Sequence, residues 1–324
     1  MIINSQIRQI GFSLFVVALV MGCSPAENKA KQTKSTAPAA SEVTPQGKIN
    51  DQRINNAASE PGSWLAHGLD YKEQRFSPLT QINRNTVKNL GLAFELDLGT
   101  NKALEATPIM VDNTLFFTSA YSIVHAVNAS TGEELWRYDP QVPRDFVRKA
   151  CCGPINRGVS VYEGNVYVAT LDGRLVAVDA GSGAKVWEVD TVIDRDRYYT
   201  ITGAPRTAKG KVFIGNGGAE FGVRGYVTAY DSATGEQIWR FFTVPGDPSL
   251  PFEHPELELA ATTWKGGSWW EVGGGGTVWN SIVYDPEFDQ VYLGVGNGAP
   301  WTRVIRSPGG GDNLFLSSIV AVDA

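Results

Sequence analysis

The sequence predicts an all-β fold in which similar sheet units stack radially as a β-propeller. Three observations predict it. The first is a repeat: IVHAVNASTGEELWRYD (123–139), RLVAVDAGSGAKVWEVD (174–190) and YVTAYDSATGEQIWRFF (226–242) share one pattern. An apolar strand ends in Ala-x-Asn/Asp, a glycine-containing turn follows, and then come an apolar residue and tryptophan. Ala126, Ala177 and Ala229 are spaced by 51 and 52 residues, and Trp136, Trp187 and Trp239 keep that spacing. The second is alternation within a unit: in GNVYVATLDGRLVAVDAGSG, Val166, Val168 and Thr170 alternate with Tyr167 and Ala169, and Asp172-Gly173 is a hairpin signal. The third is composition. Thirty-five glycines and nine tryptophans among 324 residues point to many turns and aromatic packing. A single hairpin cannot bury its own face, and stacking such units radially makes a β-propeller. The period is longer than a WD40 blade and nearer to a kelch one.

In chain order, the first element is a targeting segment. IGFSLFVVALVMG follows a single Arg8 and is too short to span a bilayer comfortably. It ends in LVMGC, close to a bacterial lipobox. Residues 1–22 therefore read as a lipoprotein signal peptide, with cleavage before Cys23 and lipidation of its thiol. The alternative is an ordinary signal peptide with a coincidental cysteine. Residues 23–60 read as a flexible tether, because SPAENKAKQTKSTAPAASEVTPQGK is rich in Ala, Ser, Thr, Pro and Lys. Ser24 rather than aspartate after the cysteine favours the outer membrane under the usual bacterial sorting rule. The expected location is the periplasm, lipid-anchored. The net charge of −6 shows no basic footprint for nucleic acid.

Residues 61–324 form the expected propeller. The three repeats place the tryptophans between neighbouring blades, a structural role. Ala229 to Ala321 spans 92 residues, so one unit holds an insertion or an extra blade, with 245–278 as the expected excess. The last copy, SIVAVDA (318–324), lacks its turn and tryptophan. The expectation is a chain cut within a blade, carrying about the first half of a large propeller.

KACCGPINRG (149–158) sets Cys151 beside Cys152. Neighbouring Cα atoms lie ~3.8 Å apart across a trans peptide, short of the roughly 4.4–6.8 Å of ordinary disulfides. A vicinal bridge is thus strained, and spacing alone favours two unbonded small residues in a loop. An oxidising envelope shifts the balance toward a bond, and with Cys23 lipidated no other pair is left within the chain. Both readings stay open on the residues themselves.

Four stretches then converge on one family: WLAHGLDYKEQRFSPLTQINRNTVKNLGLAFELDL (64–98), CCGPINRGV (151–159), TGAPRTAKGKVFIGNGGAEFGVRGYVTAYD (202–231) and GGGGTVWNSIVYDPEFDQVYLGVGNG (273–298). Together they resemble the quinoprotein alcohol dehydrogenases, which use pyrroloquinoline quinone (PQQ) in an eight-bladed propeller. The match covers nearly all of 61–324, in order. Gly153 departs from it, since an acidic residue is common after the cysteine pair.

The resemblance implies that Cys151 and Cys152 are joined and lie against one face of the quinone, with Trp279 stacked on the other. It implies that Arg157 binds a cofactor carboxylate, a task suited to a planar guanidinium. Thr202 and Thr277 would supply hydroxyl donors, and Glu105 a polar contact. Gly218 and Ala219 would let the backbone approach the cofactor. Glu220 and Asn297 would hold calcium or a lanthanide, both oxygen donors suited to a hard cation. That metal would act as a Lewis acid on the quinone. Without the resemblance, Glu105, Glu220 and Asn297 are ordinary surface or loop residues. The family's catalytic aspartate base is expected beyond residue 324, so its identity in this chain is unknown, and Asp312 reads as structural.

His67, His125 and His254 show no metal-ligand spacing and read as satisfied or surface histidines. There is no CxxCH, so no c-type haem site is expected within these residues. GNGGAEFG lacks the dinucleotide-binding glycine spacing. The implied function is PQQ- and metal-dependent oxidation of a small alcohol, with electrons passed to cytochrome c or another periplasmic acceptor. The rival is a non-catalytic propeller lipoprotein acting as an envelope assembly scaffold, which fold alone does not separate from the enzyme.

Overall fold

Fifteen strands make four antiparallel sheets in the computed structural model, which describes residues 49–102 and 104–324. Blade one holds β1 (Ile109–Val111), β2 (Thr114–Thr118), β3 (Val124–Asn128) and β4 (Glu134–Tyr138). Blade two holds β5 (Ser160–Tyr162), β6 (Asn165–Ala169), β7 (Arg174–Asp179) and β8 (Lys185–Asp190). Blade three holds β9 (Arg206–Ala208), β10 (Lys211–Gly215), β11 (Tyr226–Asp231) and β12 (Gln237–Phe242). The fourth sheet has β13 (Ile282–Asp285), β14 (Gln290–Gly294) and β15 (Ile319–Asp323). In each sheet the strands pair in chain order, as a meander.

The repeat maps onto one row of side chains across each blade. Ala126 pairs with Trp136, Ala177 with Trp187, and Ala229 with Trp239. On the other side of each alanine stands an aromatic residue, Phe116, Tyr167 or Phe213. Each lies 5.8 Å from its blade's indole, ring centre to ring centre. A bulge directly follows each alanine–tryptophan pair, so the register shifts at the same point in all three blades. The small alanine lets the two rings on either side meet over it.

The tryptophans also join one blade to the next. Trp136 Nε1 donates to the Ala180 carbonyl, and Trp187 Nε1 to the Ser232 carbonyl, both at 3.0 Å. Each acceptor sits in the β-turn of the following blade. The glycine of that turn lies under the same indole. A Cβ on Gly183 would come within 2.7 Å of Trp136, and one on Gly235 within 2.9 Å of Trp187. Both glycines have positive φ, 71° and 77°, so turn geometry and close approach demand the same residue. Phe94 takes the tryptophan's place over Gly132 in blade one.

The middle strands do not show the half-buried pattern that alternation suggests. Val166, Tyr167, Val168 and Ala169 are all buried. A blade has a neighbour on each side, so both faces of its middle strands are interior. The Asp172-Gly173 hairpin forms as expected, with Gly173 N donating to the Thr170 carbonyl at 2.9 Å.

Two sequence expectations need correction. Residues 49–60, placed in the tether, are folded. Helix α1 (Asp51–Asn55) is capped by the Asn50 side chain, and Ile49, Ile54 and Ala57 enter the main core. Asp51 accepts hydrogen bonds from Tyr71 (2.6 Å), Tyr162 (3.2 Å) and the Lys209 backbone N–H (3.0 Å). Residues 1–48, with Cys23 and the signal segment, lie outside the described residues. Among the described residues no helix is long and apolar enough to cross a membrane.

The extra length before Ala321 is also divided in two. One part joins blade three to β13 and contains α2 (Glu256–Thr262); the other, residues 295–318, separates β14 from β15 and contains α3 (Arg303–Arg306). The two parts pack on each other. Trp264 Nε1 donates to the Leu314 carbonyl (2.7 Å), and Gly309 N to the Lys265 carbonyl (2.8 Å). Val244, Trp264 and Trp269 form a satellite core there, with Leu316 against it. No extra blade is present among the described residues.

Candidate active site

The segments leading into the inner strands run side by side. Thr107 N donates to the Arg157 carbonyl at 3.1 Å, and Arg157 N to the Thr202 carbonyl at 2.9 Å. Successive blades thus present their entry residues at one level. At that level the repeat is broken: Arg157, Thr202 and Thr277 stand at entries of different blades.

These residues line a cavity of about 230 Å³ together with Cys151, Cys152, Thr200, Gly217, Gly218, Ala219, Glu220, Trp279 and Asn297. Cys151 and Cys152 are bonded to each other, with Cα atoms 3.8 Å apart, and both are exposed. Gly153, the residue that departs from the family pattern, has φ 84°.

Arg157 is held on three sides. Its Nη1 donates to Thr202 Oγ1 at 2.6 Å, its Nη2 lies 3.2 Å from Glu105, and its guanidinium lies over the Trp279 ring at 4.9 Å. Arg157 is therefore preoriented, by a hydroxyl, a carboxylate and a ring face. Glu105 does not line the cavity. Its partner is Arg157, whose guanidinium it helps to orient.

Glu220 sits in a 3-10 turn, Ala219–Phe221, flanked by Gly218 and Gly222 in left-handed conformations. A Cβ at Gly218 would lie 2.4 Å from the Tyr198 carbonyl, so the loop bearing Glu220 needs glycine there. Gly217 N donates to the Thr200 carbonyl at 2.7 Å, which fixes this loop against the segment carrying Thr200 and Thr202 that leads into β9.

Asn297 is placed by the glycine run 273–276, all four of positive φ. Gly276 N donates to the Asn297 carbonyl (2.8 Å), and Ala299 N to the Gly274 carbonyl (3.0 Å). The Asn297 amide Nδ2 donates to the Gly298 carbonyl at 3.2 Å, which orients the amide. A side chain at Gly275 would meet the Asn297 and Ala299 backbone at 2.7 Å.

Ten of the eleven residues expected to bind cofactor or metal thus line one cavity, drawn from five separate segments. Thr200 and Gly217 were not anticipated. Thr200 was findable: it precedes Thr202 by two residues, and in an extended segment such residues share a face.

His125 and His254 behave as the bland reading expects, whereas His67 is buried and its Nδ1 has no hydrogen-bond partner among the described residues. His125 is buried, with Nε2 2.9 Å from Ser119 Oγ and Nδ1 2.8 Å from Glu134, and burial lowers its pKa. His254 stacks on Phe241 at 4.2 Å and pairs with Glu256. Among the described residues no group of three or more His, Cys, Asp or Glu could hold a metal ion. Asp312 is exposed and away from the cavity lining.

Fold and cavity together define a propeller whose broken-repeat residues converge on one cavity near the inner strands. The family model described as "PQQ: Glucose/ethanol/alcohol dehydrogenase, beta-propeller domain" matches residues 64–324, and the chain belongs to this family. It is 55% identical over 274 residues to quinohemoprotein alcohol dehydrogenase ADH IIB of Pseudomonas putida, covering 85% of this chain and 40% of that protein. The crystal structure of quinohemoprotein alcohol dehydrogenase from Comamonas testosteroni superposes with a TM-score of 0.83 at 51% identity, over 85% of this chain and 41% of that one. A europium-containing methanol dehydrogenase superposes with a TM-score of 0.75 at 34% identity, over 84% of this chain and 48% of that one. The chain therefore spans about two fifths of the length of the relatives it matches best here.

Proposed function

We propose that this chain supplies the PQQ- and metal-binding residues of a quinoprotein that oxidises a small alcohol to an aldehyde or ketone. The observation that carries the proposal is the convergence of five distant segments on one cavity lined by a disulfide, an indole, a guanidinium and hydroxyls. PQQ, when bound, supplies a two-electron acceptor.

The residues fit that group. PQQ is planar and carries carboxylates, and the cavity offers flat, polarizable walls in Trp279 and the Cys151–Cys152 bridge. Arg157 offers a preoriented fork for a carboxylate. Thr202 and Thr277 offer hydroxyls, and Gly217, Gly218 and Ala219 leave room for close approach. Glu220 and Asn297 are hard oxygen donors, the chemistry of a calcium or lanthanide site. Two protein donors are fewer than such an ion takes, so further oxygens come from the cofactor, from water or from other residues. Glu220 is the one carboxylate among the described lining residues, and we assign it to the metal, leaving the proton-abstracting base to an aspartate beyond residue 324.

Electrons would pass to a cytochrome-type acceptor, a reading supported by relatives named as quinohemoproteins. We also propose that Cys23 is lipidated and holds the protein in the periplasm, at the outer membrane. Loss of radiolabelled lipid from a Cys23→Ser variant would check this. The scaffold reading gains nothing from the site, because a binding scaffold has no use for a preoriented arginine beside a vicinal disulfide.

The test is to titrate the full-length protein with PQQ, with and without calcium or lanthanum, following tryptophan fluorescence and dye-linked alcohol oxidation. Saturable quenching and activity that both require metal are expected. No binding under either metal would sink the proposal.

A further inference from the structure

Deeper along the same inner strands lies a second, much smaller cavity, about 20 Å³ in volume. Ser160 follows Arg157 by three residues and Arg206 follows Thr202 by four. At ~3.3 Å per residue this places the small cavity roughly 10 Å from the first. One wall is the strap 64–75, which enters through a two-strand bridge between Trp64 and Met110 of β1. The others are β5, β9 and the ring of Tyr284.

Three buried polar atoms on this cavity's lining residues have no well-aligned hydrogen-bond partner among the described residues: His67 Nδ1, Ser160 Oγ and Arg206 Nε. His67 is only 8% exposed. Unpaired buried polar atoms are individually costly, and three on one cavity call for a shared partner. Glu73 Oε1 lies 3.3 Å from Arg206 Nε and pairs with its charge, so this atom is the least orphaned of the three. The strap also needs anchoring: Leu69, Glu73 and Arg75 all have positive φ, at 87°, 51° and 53°. Such backbone persists only where surrounding contacts overdetermine it.

We propose that one ordered water molecule occupies this cavity and pins the strap to the inner strands of blades two and three. The volume suffices for a single water, which needs about 10–15 Å³, and two to four polar partners are what such a water requires. The donor and acceptor balance also closes. Arg206 Nε–H donates to the water oxygen. The water donates to His67 Nδ1, which is an acceptor in the neutral Nε2–H tautomer. Burial, with Arg206 and Arg75 nearby, pushes the His67 pKa down to about 3, so the ring is neutral at physiological pH. The Ser160 hydroxyl rotates to serve either role. An anion is disfavoured by the Glu73 carboxylate, and a cation by Arg206.

A high-resolution crystal structure of the full-length protein, with a parallel bromide soak, tests the proposal. The expected result is one solvent oxygen within hydrogen-bonding distance of all three atoms and no anomalous peak. An empty cavity, or a bromide peak in it, would overturn the proposal. Hydrogen exchange on a Ser160→Ala variant gives a second reading. The amides of Leu69 and Arg75, which bond to the Ala66 and Gly68 carbonyls, should exchange about tenfold faster, while that of Phe117 in β2 stays unchanged. Unaltered strap exchange in this variant would also overturn it.

Discussion

The joints between blades and the candidate cofactor cavity are built on the same sheets, yet they use sequence in opposite ways. At the joints, one solution recurs: an aromatic ring, an alanine and a tryptophan in a row, with an indole N–H donated to the next turn. At the cavity, equivalent strand entries are not uniform: one carries a guanidinium, Arg157, and two carry hydroxyls, Thr202 and Thr277. The joint residues are buried or half-buried, whereas Cys151, Cys152, Glu220, Asn297 and Trp279 are exposed. Repetition marks what holds the propeller together, and departure from repetition marks the candidate site. This division predicts that stability and binding are separable by mutation.

The largest effect is expected at a joint. Trp187→Ala removes the contact with Tyr167 and the hydrogen bond to Ser232, and uncovers Gly235. A loss of about 3–5 kcal/mol is expected, read as a lower urea midpoint. A loss under about 1 kcal/mol would mean that the tryptophans do not carry the joints.

Next comes the cavity's carboxylate. Glu220→Gln keeps the shape but removes the charge that a hard cation prefers. Metal affinity should fall at least 100-fold, about 2.7 kcal/mol, by calorimetric titration of the full-length protein with lanthanum and PQQ. The urea midpoint should barely move, because Glu220 is exposed on a short turn. A large stability loss without an affinity change would reverse the assignment of this residue.

Acid should strike the scaffold before the cavity's walls. His67 faces Arg206, Arg75 and Glu73, and its pKa is lowered from 6.5 to about 3 by burial first and the two arginines second. The unfolded chain takes up a proton near pH 6.5 that the folded chain refuses. The contribution is therefore present above pH 6.5 and is lost as pH falls toward 3. Between pH 6.5 and 5 the loss is about 2 kcal/mol, at roughly 1.4 kcal/mol per pH unit. His67→Gln should flatten that part of the stability profile, and an unchanged slope would assign the acid sensitivity elsewhere.

The same division explains what was legible beforehand. The blades were readable because alanine and tryptophan recur at fixed spacing. The cavity residues were readable because their motifs are specific in order and type. Less visible were Phe116, Tyr167 and Phe213, whose identities vary and which look like any strand aromatic. The folded stretch 49–60 reads as a tether because only two isoleucines and two alanines interrupt a polar composition, and the burial of Ile49, Ile54 and Ala57 depends on β-strands far along the chain. Residues 295–318 carry no repeat marker, so nothing local separates them from the first insertion. Glu105 shows a further limit: sequence placed it at the site, but its ion pair with Arg157 is visible only in the packing.

The smallest effect sharpens the comparison most, because it concerns a tryptophan outside the repeat. Trp279 is 44% exposed and lies against the Arg157 guanidinium, whereas Trp187 is built into a joint. Replacing Trp279 by alanine removes little buried area, so stability should change by no more than about 1 kcal/mol. PQQ affinity should fall roughly tenfold, the scale of one lost aromatic stacking contact. Trp279→Phe should recover most of that loss, since the ring face matters more than the indole N–H. If alanine at 279 instead destabilises the fold as strongly as alanine at 187, then this indole is another joint, and the cavity loses the wall on which its reading as a cofactor site depends.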